Sequence, residues 1–261
     1  MDLKENTSFT SGFTRHPWER ARSGILWYLI GSKLKGITNR TISVLDIGSG
    51  DLYQSVMLAG KIHDIRITAL DNAYDERVKE ELSDMAGKHH IRLVDSLQQI
   101  PETEHFDLVL MMDVLEHIEQ DKEYLKLLVN SKFFDDHTML VITVPAWKYL
   151  FSGHDMYLGH YRRYTRKQLL QICRDAGLQT HSSGYYFIGF YLVRVLQFSF
   201  HRIFGYRKKE ASDLKRWKEA GWISRVISGI LIVDYLLLRL LSSMGVYLPG
   251  LSAYTVCRKR R

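Results

Sequence analysis

Apolar residues in this chain change rhythm at Ile42. From there short β-branched runs, Ile42–Ile47, Ile65–Leu70, Ile91–Val94, Phe106–Met112 and Met139–Val144, alternate with stretches whose apolar residues recur every three or four positions, as at Tyr124, Leu125, Leu128 and Val129. The runs read as strands and the stretches between as helices, an alternation that predicts an α/β fold with a parallel sheet covered on both faces. Thr165 followed by Gln168 forms a capping box, so a helix starts there and ends near Gly177. Beyond it, Leu178–Tyr186 and Leu251–Arg258 read as strands that bracket a helix-rich insertion, the pattern of an antiparallel pair closing the sheet. Four segments result: an N-terminal helical cap over 1–40, with its helix running to about Leu34; an α/β core over 41–186; a helical insertion over 187–250; and a closing strand with a basic tail over 251–261.

Bulk composition adds limits. At 261 residues and 46% apolar content the chain can build a full core, which excludes disorder of the whole. The net charge of +7 is unevenly spread: residues 1–184 hold 22 Lys and Arg against 25 Asp and Glu, and residues 185–261 hold 14 against 4, so the excess lies in the C-terminal third. Such a block points to an anionic membrane surface or to nucleic acid. Cys173 and Cys257 belong to no metal or redox spacing, and no basic start precedes an early apolar run. Free thiols and a cytoplasmic location are the expectation.

The chemistry gathers where strands end. Val44–Asp51 reads Val-Leu-Asp-Ile-Gly-Ser-Gly-Asp, a buried strand entering a turn in which Gly48 and Gly50 let the backbone approach a ligand. Asp71, with Asn72 beside it, follows the second strand, where an acid accepts the hydroxyls of a ribose; Asp95, with Ser96, follows the third, where a carboxylate can take an adenine amine. Three acids at the ends of successive strands point to a nucleoside site. The dinucleotide fingerprint wants a third small residue where Tyr53 stands, and Asp46 and Asp51 would repel a pyrophosphate while suiting a cationic sulfonium and an ammonium. No Gly-Lys-Ser/Thr ending supplies a phosphate-binding loop.

These residues, with the run Phe-Asp-Leu-Val-Leu-Met-Met-Asp-Val-Leu-Glu-His-Ile over Phe106–Ile118, resemble class I S-adenosylmethionine-dependent methyltransferases over about residues 42–180. The resemblance implies a Rossmann-like, seven-stranded sheet with an antiparallel last strand. It places Asp46, Gly48 and Gly50 on the methionine half of S-adenosylmethionine, Asp71 on the ribose, Asp95 and Ser96 on the adenine, and Asp113 with Val114 by the reactive sulfur. Val144–Tyr164, with its Val-Pro-Ala, His-Asp and Gly-His-Tyr-Arg-Arg-Tyr-Thr, further resembles a bacterial subgroup associated with polysaccharide or lipid biosynthesis.

Methyl transfer needs the acceptor in line with the methyl and, for a hydroxyl, a proton acceptor. His154, Asp155 and His160 follow the fifth strand, and His160 is the preferred base, although either histidine could equally serve to tie the loop together. Arg162 and Arg163 stand just before the capped helix, placed to meet an anionic group on the acceptor or else to pair with Asp155. No histidines share a metal-ligand spacing on one element, so no metal is expected. Trp18 and Arg22 are placed to close over the cofactor from the N-terminal helix.

Two long apolar segments remain, Phe187–Phe204 and Ile223–Leu241, joined by a stretch with Arg207, Lys208, Lys209, Lys215, Arg216, Trp217 and Lys218. Arg194 interrupts the first segment, and Arg225, Asp234 and Arg239 the second, too many charges for comfortable spans. Arg194, Gln197 and His201 share a stripe opposite Leu192, Leu196 and Ile203; Arg225, Ser228 and Arg239 share another, opposite Asp234. The expectation is helices lying in an anionic membrane surface, with a soluble substrate lid as the alternative. Nucleic acid is disfavoured because the basic residues are interleaved with aliphatic runs. The expected reaction is O-methylation of a lipid-linked or membrane-resident small molecule; a carbon, nitrogen or soluble acceptor, or a scaffold without turnover, stays open.

Overall fold

A computed structural model describes residues 16–34, 40–204 and 221–260. The linker carrying Arg207, Lys208, Lys209, Lys215, Arg216, Trp217 and Lys218, and the side chains of His201 and Ile203, lie outside the described residues.

Seven strands form one sheet: β1 (Ile42–Ile47), β2 (Ile65–Leu70), β3 (Ile91–Val94), β4 (Leu108–Met112), β5 (Met139–Pro145), β6 (Leu178–Tyr186) and β7 (Ser252–Lys259), in the order β3-β2-β1-β4-β5-β7-β6. The first five are parallel, and β7 lies antiparallel between β5 and β6. All five residues of β4 are buried, as a central parallel strand covered on both faces requires. The helices are α1 (Pro17–Leu34), α2 (Tyr53–Ala59), α3 (Glu76–Lys88), α4 (Asp121–Asn130), α5 (Gly153–Leu158), α6 (Arg166–Asp175), α7 (Ile188–Phe204) and α8 (Gly221–Ser243). Thr165 and Gln168 cap α6 as a box, and Gly177 follows its end at φ 82°.

Two apolar layers flank the sheet. One includes Leu26, Ile30, Val44, Leu82, Leu110 and Tyr254; the other includes Leu45, Val109, Leu125, Leu140, Leu169 and Ile172. Cys173 and Cys257 sit in the second layer as buried thiols that form no disulfide.

The insertion departs from the expected helical wheel. α8 buries Ser224, Ser228, Leu231, Tyr235 and Leu238 and packs on α1. Ser228 donates to the carbonyl of Pro17 and Arg239 to that of Tyr28. The stripe expected to face headgroups is thus divided, with Ser228 turned into the protein and Arg225 exposed. Its outward face is apolar: Val226, Ile230, Val233, Leu237 and Leu240 are all exposed. Among the described residues Asp234 pairs with no basic side chain of α7; it accepts from the backbone N–H of Ile188, 3.1 Å away, and so caps the start of that helix. On α7, Leu192 and Leu196 are exposed along with Arg194 and Gln197.

Candidate active site

Parallel strands deliver their carboxyl ends to one edge, and the loops there build a cleft. After β1, Gly48 and Gly50 take φ of 69° and 52°, and Gly48 donates its N–H to the Leu70 carbonyl at 2.7 Å. A Cβ on Gly48 would stand 2.4 Å from Val114 Cγ2, so the turn after β1 and the loop after β4 meet where no side chain fits. Asp71 braces this turn: one oxygen accepts from Gly50 N–H and the other from Ala73 N–H, each at 3.0 Å. Tyr74, buried, bonds Ser49 and the Gly50 carbonyl.

Asp46 is 2% exposed and accepts from Ser55 Oγ at 2.6 Å. Burial pushes its carboxyl up to about 6. Asp51 is buried as well. Asp95 bonds Lys79 at 2.8 Å and Gln99 at 3.0 Å, and Asn72 is exposed. Ser96 precedes the short turn after β3.

The other end of the cleft is denser. Asp113 takes φ 56° and Trp147 φ 69°, left-handed conformations that L residues hold only when neighbours over-determine them. Asp113 receives a hydrogen bond from Thr143 Oγ1 at 2.9 Å and pairs with Arg22 at 2.6 Å. Arg22 thus reaches the β4 end from α1, with the Trp18 ring 5.6 Å from its guanidinium. Glu116 is fully buried and, among the described residues, neither of its oxygens has a hydrogen-bond partner. Burial, and Asp113 after it, hold its carboxyl well above the usual range.

Around Asp155 the loop after β5 is welded to the loop after β4. Asp155, with no exposed surface, accepts from Arg163 at 2.7 and 3.0 Å and lies 2.9 Å from His160 Nδ1. Burial alone would raise this carboxyl, but the hydrogen bonds from His160 and Arg163 outweigh it and hold it well below the usual range. Tyr161 N–H donates to the Glu116 carbonyl, and Tyr164 bonds the Leu115 carbonyl and Asp121. Arg162 pairs with Asp121 and donates to the Glu119 carbonyl. Of the two alternatives for these arginines the structure shows the pairing: Arg163 is bound to Asp155 and Arg162 to Asp121, since buried carboxylates require the nearest cations. His154, next to Asp155 in the chain, feels the charges of that dyad, while burial, and Arg194 of α7 after it, lower its pKa.

A sequence family described as a methyltransferase domain matches residues 27–183. The chain belongs to that family. No curated protein matches it in sequence. Solved structures share the fold at low identity. The plantazolicin methyltransferase BamL, solved with a desmethyl analogue and SAH, is 14% identical at a TM-score of 0.54, covering 93% of this chain and 86% of its own. The N-methyltransferase NodS from Bradyrhizobium japonicum WM9, with S-adenosyl-l-homocysteine, is 20% identical at 0.51, covering 69% and 86%. The [4+2]-cyclase SpnF is 14% identical at 0.52, covering 90% and 81%. The cofactor of this methyltransferase is S-adenosylmethionine, and its residues fit one: a side-chain-free turn over Val114, a buried carboxylate at Asp46 for a cation, and Asp71 at the end of β2.

Three features escaped the reading of the methyltransferase's sequence. The fold brings Glu116, His117 and His160 together, with one donor atom of each within 4.8 Å of the others, although no two lie at a ligand spacing on a helix. Glu116 gave no sign of its burial. Trp147, Tyr149, Tyr185 and Tyr191 stack into an aromatic wall, Trp147 lying 5.1 Å from Tyr185 and Tyr149 bonding Tyr191 at 2.7 Å. Its members come from three elements, so no local pattern announces them.

Proposed function

We propose that this S-adenosylmethionine-dependent methyltransferase methylates a hydroxyl of a lipid-linked or membrane-resident small molecule at the inner face of a membrane. The observation that carries this reading is the outward face of α8 with the adjoining α7, where Val226, Ile230, Val233, Leu237, Leu240, Leu192 and Leu196 are exposed together. Exposed apolar faces of this extent mark interaction surfaces. α8 is long and apolar enough to cross a membrane, but its other face is packed on α1, which favours lying along the surface. The +10 balance of residues 185–261 adds attraction to anionic lipid.

When bound, S-adenosylmethionine supplies an electrophilic methyl. Asp46, Gly48, Gly50, Asp71 with Asn72, Asp95 with Ser96, and Asp113 with Val114 would hold it; beside Lys79, Asp95 keeps 35% of its side chain exposed for an adenine amine. His160, oriented by Asp155, stands at the acceptor end, where a hydroxyl gives up its proton. The aromatic wall of Trp147, Tyr149 and Tyr191 suits a flat or apolar acceptor body.

Labelled S-adenosylmethionine incubated with the protein and with membrane or soluble extracts tests the reading. Label is expected in the lipid fraction; label confined to soluble metabolites would instead favour α7 and α8 as a lid. Stoichiometric cofactor binding with no labelled product would favour a scaffold, a reading kept alive by SpnF, a cyclase on this fold.

A further inference from the structure

We propose that Glu116, His117 and His160 form a binding site for one divalent transition-metal ion at the acceptor end of the cleft. Each offers a donor atom within 4.8 Å of the others. Donors at about 2.0–2.2 Å from one tetrahedral ion stand about 3.4 Å apart, so side-chain rotations drawing the three together by about an ångström close the set.

The buried carboxylate points independently to a cation. Glu116 has no exposed surface and, among the described residues, neither oxygen accepts a hydrogen bond. The two cations whose charge acts on it are paired with other carboxylates, Arg22 with Asp113 and Arg163 with Asp155. An ionised carboxylate in that position lacks solvent and, among the described residues, a side-chain hydrogen-bond donor, with Arg22 and Arg163 acting on it only through space, and a metal ion would supply the charge and the ligand bonds together.

The surroundings are those of a ligand shell. Asp155 holds His160 through Nδ1, which leaves Nε2 as the basic nitrogen and reproduces the carboxylate–histidine–metal arrangement that orients an imidazole. Arg163 fixes Asp155 in turn. The His117 ring stands edge-on to His160 at 4.6 Å between centroids. Backbone bonds from Tyr161 to the Glu116 carbonyl hold the two loops in register. Two histidines and one carboxylate leave coordination positions open, the pattern of catalytic sites for zinc and for other N/O-ligated divalent metals.

Position gives the ion a task. Glu116 and His117 follow Val114, which packs over Gly48 in the cofactor turn, so the open positions lie beside the methyl end of the cleft. On the hydroxyl reading above, an acceptor oxygen bound there would have its pKa lowered; its proton would pass to water, and the oxygen would keep the electron pair. With the ion bound His160 would serve as a ligand; without it, its ring keeps the role of base given above. That task rests on the hydroxyl reading; the site itself does not.

The test therefore omits cofactor and acceptor. The full chain, stripped by chelator, is titrated with Co²⁺ and followed by visible absorption, and with Zn²⁺ by calorimetry. One equivalent per chain is expected, with a visible Co²⁺ band. Glu116→Gln, His117→Ala and His160→Ala should each weaken binding at least about tenfold, and Asp155→Asn by about 10- to 100-fold. Retained S-adenosylmethionine binding in Glu116→Gln would show that its fold survives. Absence of the Co²⁺ band, or binding unchanged in Glu116→Gln and His160→Ala, overturns the site and assigns any uptake to surface histidines such as His89 and His90. Absence of methylated lipid, with the metal site intact, would overturn only the hydroxyl reading.

Discussion

Gly48 carries two demands at once, a φ of 69° and a neighbour that a Cβ would meet at 2.4 Å. Gly48→Ala should cost about 1–2 kcal/mol from backbone handedness alone. The Val114 clash adds to this, and cofactor affinity, read by calorimetry, should fall even where thermal denaturation shows a folded protein. Asp71→Ala should weaken S-adenosylmethionine and its demethylated product alike, by about tenfold or more, since it removes charge-assisted hydrogen bonds to both. Unchanged affinity for either in that variant would remove Asp71 from the ribose. Asp46 gives a pH signature. Its carboxyl titrates near 6 and its ionised form attracts a cation, so binding is strong above that pH and is lost as pH falls through it. From pH 7 to pH 5 the ionised fraction drops from about nine-tenths to about one-tenth, which predicts roughly tenfold weaker binding. Asp46→Asn should bind weakly at both pH values; a slope that persists there would assign the titration to another group.

Among the elements, the segment between β5 and α6 is held by charge and α8 by its inner face. Arg163→Ala strips the fully buried Asp155 of its main counter-charge and should destabilise the protein by about 3–5 kcal/mol, measured by denaturant titration. For α8 the contrast lies between faces. Changing Val226, Ile230, Val233 and Leu237 together to Ser should leave the melting temperature nearly unchanged, because these side chains are exposed, yet abolish flotation with anionic vesicles. Wild-type protein remaining at the bottom of the gradient would falsify membrane attachment. High salt should weaken the attachment of the wild type without ending it, since screening acts on the charges and leaves apolar insertion in place.

For the molecule as a whole, the strands and the antiparallel closing pair were legible in patterns that are strong locally, while the order β3-β2-β1-β4-β5-β7-β6 is set by pairing between distant segments. Fully buried strands must be continuous apolar runs, α6 is announced by its cap, and the Gly48 turn has to be glycine because of its dihedral angles. Each of these follows from short-range sterics or periodicity, so residue order alone carries it. The placement of Asp71 and Asp95 at strand ends was legible for the same reason, each following a strand in sequence. The acceptor half of the cleft was not. Glu116 and His117 meet His160 across a loop-to-loop contact, Arg162 and Arg163 turn inward to Asp121 and Asp155, and Ser228 of α8 faces Pro17. Burial and charge pairing between distant segments are properties of packing, and a carboxylate's partner is set by which cation the fold brings within about 4 Å of it. The amino-acid order thus specified strands, helices and the nucleoside turn, while packing chose which polar groups face each other and which apolar face was left outside.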